Sequence, residues 1–198
     1  MPLQRLLLSS APGLQITGLG APALLSPKPA EIAGGAQFQG FRLLGLRDAE
    51  EQGQINACKE LGLTMMAYAV LGRGMLSAQL PKVEEMAAAD VRAQLPRFHS
   101  ANVETNLQLR TALEAIARRK NATLAQLSIA WPMARGARAD AFVVPIPGAK
   151  SRRHLEENVR AADIVLTAGD LAEIDRIVPP GAASGTRYPK GQMHRLNV

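Results

Sequence analysis

The chain has 198 residues, 47% of them hydrophobic, with one cysteine and a net charge of +6. This length holds one domain with an appendage, and this hydrophobic fraction excludes a disordered chain. A lone Cys58 excludes a disulfide framework or a Cys-rich zinc module and fits a reducing, cytoplasmic setting, and no apolar run reaches the roughly 18 residues of a membrane span.

Residues 1–46 carry four charged side chains, Arg5, Lys28, Glu31 and Arg42, and Pro2, Pro12, Pro22, Pro27 and Pro29 interrupt any helix there. Residues 1–36 are expected to form a poorly ordered or non-native leader; a loop-rich docking segment is the alternative. Gln37–Leu44 alternates as a strand does. Asp48 caps a helix that opens on Glu50 and Glu51 and ends at Leu61, before Gly62. Leu63–Tyr68 is a short apolar run, hence a buried strand, and Leu71-Gly72-Arg73-Gly74 breaks it into a loop.

Pro81–Phe98 is mostly loop with a short helical piece. Val103–Lys120 is a helix with Leu107, Leu109, Leu113, Ile116 and Ala117 mostly on one face. Thr123 caps the next helix, Leu124–Arg135, which Gly136 ends; Pro132 inside it costs about 3 kcal/mol. Ala141–Ile146 is a second buried strand. Ser151 caps a helix over Arg152–Ala162, and Thr167 caps a last one over Ala168–Val178, stopped by Pro179-Pro180. This strand–helix alternation is the grammar of a parallel α/β sheet, closed as a barrel or left open.

Two segments carry candidate chemistry. In Val144 to Asn158 a buried strand ends in Pro147-Gly148 and a capped helix opens at once. Lys150, Arg152 and Arg153 add cations where free backbone N–H groups already favour an anion. Ligands of α/β folds lie at the carboxyl ends of strands. The segment reads as a phosphate-monoester pocket or as a solvated basic helix start. In Ala67 to Gly74 a strand ends in Tyr68 and enters a Gly-Arg-Gly loop, where Arg73 can bridge phosphates and Tyr68 can stack on a flat ring. A core tyrosine and a tight turn is the other reading. The basic balance also suits nucleic acid, but 4% aromatics argue against a base-stacking binder. His99, His154 and His194 have no ligand-like spacing, so no metal site is expected. Cys58 reads as packing, Asp170 and Glu173 as complements of a helix dipole, and Tyr188 as a tail contact or a substrate-lining residue.

With these residues the sequence resembles the aldo-keto reductases, in particular the bacterial branch akin to potassium-channel β subunits. Ala67-Tyr68-Ala69-Val70-Leu71-Gly72-Arg73-Gly74 is similar to the family's A-Y-S-P-L-G-R-G, and Val144-Pro145-Ile146-Pro147-Gly148-Ala149-Lys150 to its V-P-I-P-G-x-K/R. The stretches Leu113–Ala117, Ala125–Trp131, Thr167–Leu171 and Pro96-Arg97-Phe98 match in order and spacing, over about residues 37–190.

The resemblance implies a partial (β/α)8 TIM barrel, α/β in class, holding roughly the last three β/α units over residues 37–198. It implies NADP(H) as cofactor. Tyr68 is then expected to stack on the nicotinamide, and Leu71, Gly72 and Arg73 to line the pyrophosphate. Gly148, Ala149, Lys150 and Ser151 are expected to bracket the 2′-phosphate, with Arg152 adding charge and His154 near the adenine. Glu157 and Asn158 are expected at the adenine amino group and Gln39 at the carboxamide. The implied reaction is hydride transfer to a small aldehyde or ketone.

The family's catalytic tetrad of Asp, Tyr, Lys and His lies near the ends of its first four strands. Residues 1–46 contain no Asp, Tyr or His, and the sequence before Gln37 is too short for five β/α units of roughly 30 residues. The tetrad is therefore expected to be absent and the chain inactive alone. A non-catalytic NADP(H)-binding or subunit-type protein is the alternative. Ala69 and Val70 replace the family's Ser and Pro, and Pro132 replaces a Leu. Open sheet edges would favour self-association.

Overall fold

The computed structural model describes residues 53–77, 80, 85–87 and 89–195. The expected leader over 1–36, the strand Gln37–Leu44 with Gln39, and the Asp48 cap lie outside the described residues. Within them the elements are helix α1 (Gln54–Glu60), strand β1 (Thr64–Tyr68), helices α2 (Ser100–Arg119) and α3 (Leu124–Arg138), strand β2 (Phe142–Ile146), and helices α4 (Arg152–Val159) and α5 (Ala168–Ile177). Short 3-10 turns occupy Gly72–Gly74, Val91–Gln94, Pro96–Phe98 and Arg160–Asp163. No helix among the described residues is long and apolar enough to cross a membrane.

β1 and β2 are parallel neighbours, with Thr64 opposite Phe142 and Tyr68 opposite Ile146. Side chains alternate between faces along each strand. Ala67 and Val143, 4% and 8% exposed, point to the helical side, where α3 packs on β2. On the other face Met66 is 56% exposed and Phe142 and Ile146 are each 44% exposed. The strands, expected to be buried, are therefore covered on one face only by the described residues.

The core lies between this sheet and the helices, around Phe98, Leu113, Ile116, Leu127, Trp131 and Ile174. Trp131 is fully buried, and the Arg135 guanidinium stands 5.7 Å from its ring centre. Three helix starts form as their caps dictate. Thr123 and Thr167 make reciprocal capping boxes with Gln126 and Asp170, and the Ser151 hydroxyl accepts from the His154 N–H at 3.2 Å.

Three local expectations are corrected. Gly136 does not end its helix, which runs through Pro132 and on to Arg138. A Cβ at Gly136 would lie 2.4 Å from Val143 Cγ2 and 2.9 Å from the Ala141 carbonyl oxygen, so the glycine marks the close crossing of α3 over β2. On α2, Leu107 is 38% exposed, and the buried position one residue earlier belongs to Asn106, which is fully enclosed. The polar residue takes it because its amide is an anchor, described below. Lastly, the expected helix over Arg152–Ala162 is α4 followed by a tighter 3-10 turn that buries Ala161.

Candidate functional site

The register of β1 on β2 places the two motif segments side by side. Tyr68 ends β1 opposite Ile146, so the Ala69–Gly74 loop and the Pro147–Ser151 loop leave adjacent strand ends in the same direction. The segments are far apart in sequence, and only the parallel pairing unites them.

The first loop is tightly wound. Gly72 N–H donates to the Ala69 carbonyl at 2.8 Å, and Gly74 N–H to the Leu71 carbonyl at 3.0 Å. Gly72 has φ +58°, a conformation that costs glycine little. Ala69 and Arg73 adopt left-handed backbone without that freedom, at φ 56° and 54°. Such conformations cost of order 1–2 kcal/mol per residue and tend to gather at functional sites. Leu71 and Arg73 are half-buried and Gly72 is buried. The Val70 carbonyl accepts a hydrogen bond from the buried Ser128 hydroxyl on α3.

The second loop is open. Gly148, Ala149, Lys150 and Ser151 are all exposed, and a Cβ at Gly148 would meet nothing within 4 Å. Arg152 and His154 are exposed on the first turns of α4. Arg152 pairs with Glu156 at 2.7 Å, an exposed contact that is cheaply exchanged for another anion. Asn158 is buried and reaches back to the Gly148 carbonyl at 3.5 Å, while the Glu157 carbonyl accepts from Gln126 Nε2 at 3.0 Å. These bonds fix α4 against both its own loop and α3. The expected site residues thus lie on these two strand-end loops and on α4, and Gln39 lies outside the described residues.

Two features escaped the sequence reading. Asp90 caps its own turn and grips the Arg92 guanidinium, with Arg92 Nε donating at 3.0 Å. These hydrogen bonds hold the Asp90 carboxyl down at about 2, and the Lys150 charge contributes. Arg92 Nη1 lies 3.3 Å from where a Gly74 side chain would begin, so this pair adjoins the first loop. Second, the C-terminal segment brings Tyr188 close enough to Tyr68 to act on its phenol. Burial pushes the Tyr68 phenol above its usual value, the neighbouring Tyr188 adds to the rise, and Arg73 and Arg187 pull against it. The local R-Y-P pattern held a hint of a contact, but the partner is 120 residues away.

Residues 37–179 match the profile of the Aldo/keto reductase family. The chain is 37% identical over 141 residues to the fission yeast protein named aldo-keto reductase yakc [NADP(+)], covering 71% of this chain and 40% of that one. It is 35% identical to a probable aldo-keto reductase 1 of Glycine max, covering 76% of this chain and 42% of the relative. Among solved structures, the thermostable aldo-keto reductase Tm1743 aligns with a TM-score of 0.45 at 27% identity, covering 66% of this chain and 35% of that one. The chain spans about two fifths of the length of the curated relatives it matches. The profile match covers most of the sequence, from the segment before β1 through both strand-end loops to the end of α5, and the chain belongs to the aldo/keto reductase family.

Proposed function

We propose that this chain supplies the NADP(H)-binding end of an aldo/keto reductase, with β1 and β2 as neighbouring strands of a (β/α)8 barrel. The observation that carries this is the pairing of Tyr68 with Ile146, which sets a glycine-bearing turn beside a basic, capped helix start at the carboxyl ends of parallel strands. The cofactor named for the yeast relative supports the same reading.

The residues suit such a dinucleotide. Space stands open at Gly148, and Lys150, Ser151, Arg152 and His154 offer cations and donors to a 2′-phosphate. Leu71, Gly72 and Arg73 line the path of the pyrophosphate, and Tyr68 takes the nicotinamide. Ala149, Glu157 and Asn158 complete the adenosine end, and Gln39 is assigned to the carboxamide. Bound NADPH supplies a hydride for an aldehyde or ketone. The chain's own residues bind and orient the dinucleotide. With no tetrad residue assigned, the 198-residue chain alone is expected to turn over carbonyls near background, far below the roughly 1 s⁻¹ or more of ordinary enzymes.

Titration of the chain with NADPH and with NADH, followed by the emission of the dinucleotide, tests the assignment. NADPH should bind about ten- to a hundred-fold tighter, the equivalent of one charge-assisted contact. Lys150→Ala should remove most of that preference. Equal affinities for the two cofactors refute the assignment.

A further inference from the structure

Helix α4 carries residues assigned to the 2′-phosphate and the adenine, yet little apolar burial holds it. Within Arg152–Val159 only Asn158 is buried and Glu157 half-buried, and its apolar side chains, Leu155 and Val159, are 48% and 38% exposed. The turn that follows packs on α3 and encloses Ala161. Apolar contact of this kind has no direction.

Hydrogen bonds supply the direction. The bond from the Asn158 amide to the Gly148 carbonyl is 3.5 Å long, beyond the ordinary range of about 2.7–3.2 Å. Gln126 Nε2, on α3, donates to the Glu157 carbonyl at 3.0 Å, inside that range. The oxygen of the same amide accepts from the Thr123 N–H at 3.0 Å, one half of a capping box. The other half is the Gln126 N–H on the Thr123 hydroxyl at 3.2 Å. A donor on one side and an acceptor on the other admit a single orientation of the Gln126 amide. One side chain therefore closes the start of α3 with its oxygen and holds the end of α4 with its nitrogen. The carbonyl that it holds belongs to the peptide joining Glu157 to Asn158. That unit is planar from one Cα to the next, so anchoring its oxygen places the Asn158 backbone.

We propose that Gln126 is a positioning residue for the adenosine end of the dinucleotide: its amide nitrogen, held from α3, fixes the peptide between Glu157 and Asn158 and with it the two residues assigned to the adenine. A preordered helix end loses less freedom when the ligand arrives. The inference rests on the NADP(H) reading for its ligand, but not for the tether between α3 and α4.

The experiment compares two neutral variants of the full chain, each lacking one half of the capping box. Thr123→Ala deletes the hydroxyl that receives the Gln126 N–H and leaves the Gln126 amide on both of its partners. Gln126→Met keeps a side chain of similar length and loses the bonds to Thr123 and to Glu157 together. Calorimetric titration with adenosine 2′,5′-bisphosphate reads the adenosine end alone. Gln126→Met should weaken it about three- to ten-fold, the worth of one neutral hydrogen bond, and Thr123→Ala should leave it unchanged. Equal weakening in the two variants, or none in Gln126→Met, overturns the positioning role. Amide hydrogen exchange decides the tether separately. The amides of residues 155–160 should exchange about three- to ten-fold faster in Gln126→Met than in Thr123→Ala, and equal rates overturn the tether. If the parent chain does not bind adenosine 2′,5′-bisphosphate, the cofactor reading and the positioning role fall together, while the exchange rates still decide the tether.

Discussion

Ser128, on α3, donates its hydroxyl hydrogen to the carbonyl oxygen of Val70, at the start of the loop that follows β1. Both residues are about 1% exposed. This buried side-chain bond restrains the turn that follows β1. Ser128→Ala leaves that carbonyl without this partner in a place water does not reach, at a cost of about 1–3 kcal/mol. The thermal midpoint should fall by about 2–4 °C for each kcal/mol lost, which circular dichroism melts will measure. NADPH binding should weaken alongside, since the restrained loop bears Leu71, Gly72 and Arg73.

Gly136 and Gly148 should respond in opposite ways to the same change. Gly136→Ala drives a methyl into Val143 Cγ2 and the Ala141 carbonyl. Overpacking of this kind costs about 1–3 kcal/mol. Gly148→Ala adds a methyl to open space and should change stability by no more than about 0.5 kcal/mol. Urea midpoints of the two variants, compared with the parent, check the contrast.

The strands and the capped helix starts were legible because their signals are local. Apolar runs bounded by Gly62 and by Pro147-Gly148 marked β1 and β2 to within a residue, and Thr123, Ser151 and Thr167 marked three caps. The two strand-end loops were legible as motifs. Their adjacency was not, because register is a property of pairing rather than of either strand. Gly136 was misread since a glycine near a helix end carries the same local signal whether it stops the helix or admits a neighbour. Asn106 was passed over in favour of Leu107 because hydrophobic periodicity cannot see a polar residue that binds a segment 78 residues away. The Asp90–Arg92 pair lay in a stretch read as loop, where ring-closing contacts leave no period.

The Asp90–Arg92 pair sets an acid-side dependence. The carboxyl titrates at about 2 in the folded chain against 3.8 ordinarily. A depressed folded value means that its stabilisation is fully present above 3.8 and is lost as pH falls towards 2. Asp90→Asn should flatten the stability profile within that window and leave the slope above pH 5 unchanged. Denaturation midpoints collected across the acid range check it, and an unaltered acid limb would falsify the assigned role.

The face of the sheet that the described residues leave exposed should drive association. Met66, Phe142 and Ile146 lie on one side of the paired strands and remain about half exposed. Burial of apolar surface gives about 25 cal/mol per Å², so a second copy or strands supplied by a partner should cover them. Sedimentation velocity should show oligomers at micromolar concentration. Met66→Lys combined with Phe142→Asn should shift the distribution towards monomer.

Trp131 is the one indole in the chain and is wholly enclosed beneath the helices, whereas Tyr68 ends β1 and Tyr188 acts on its phenol. The molecule thus carries two separate optical reporters. Tryptophan emission senses the integrity of the interior, and tyrosine absorbance senses the end of β1. A variant that alters the second signal while preserving the first has perturbed the site without loosening the fold, a distinction that needs no added label.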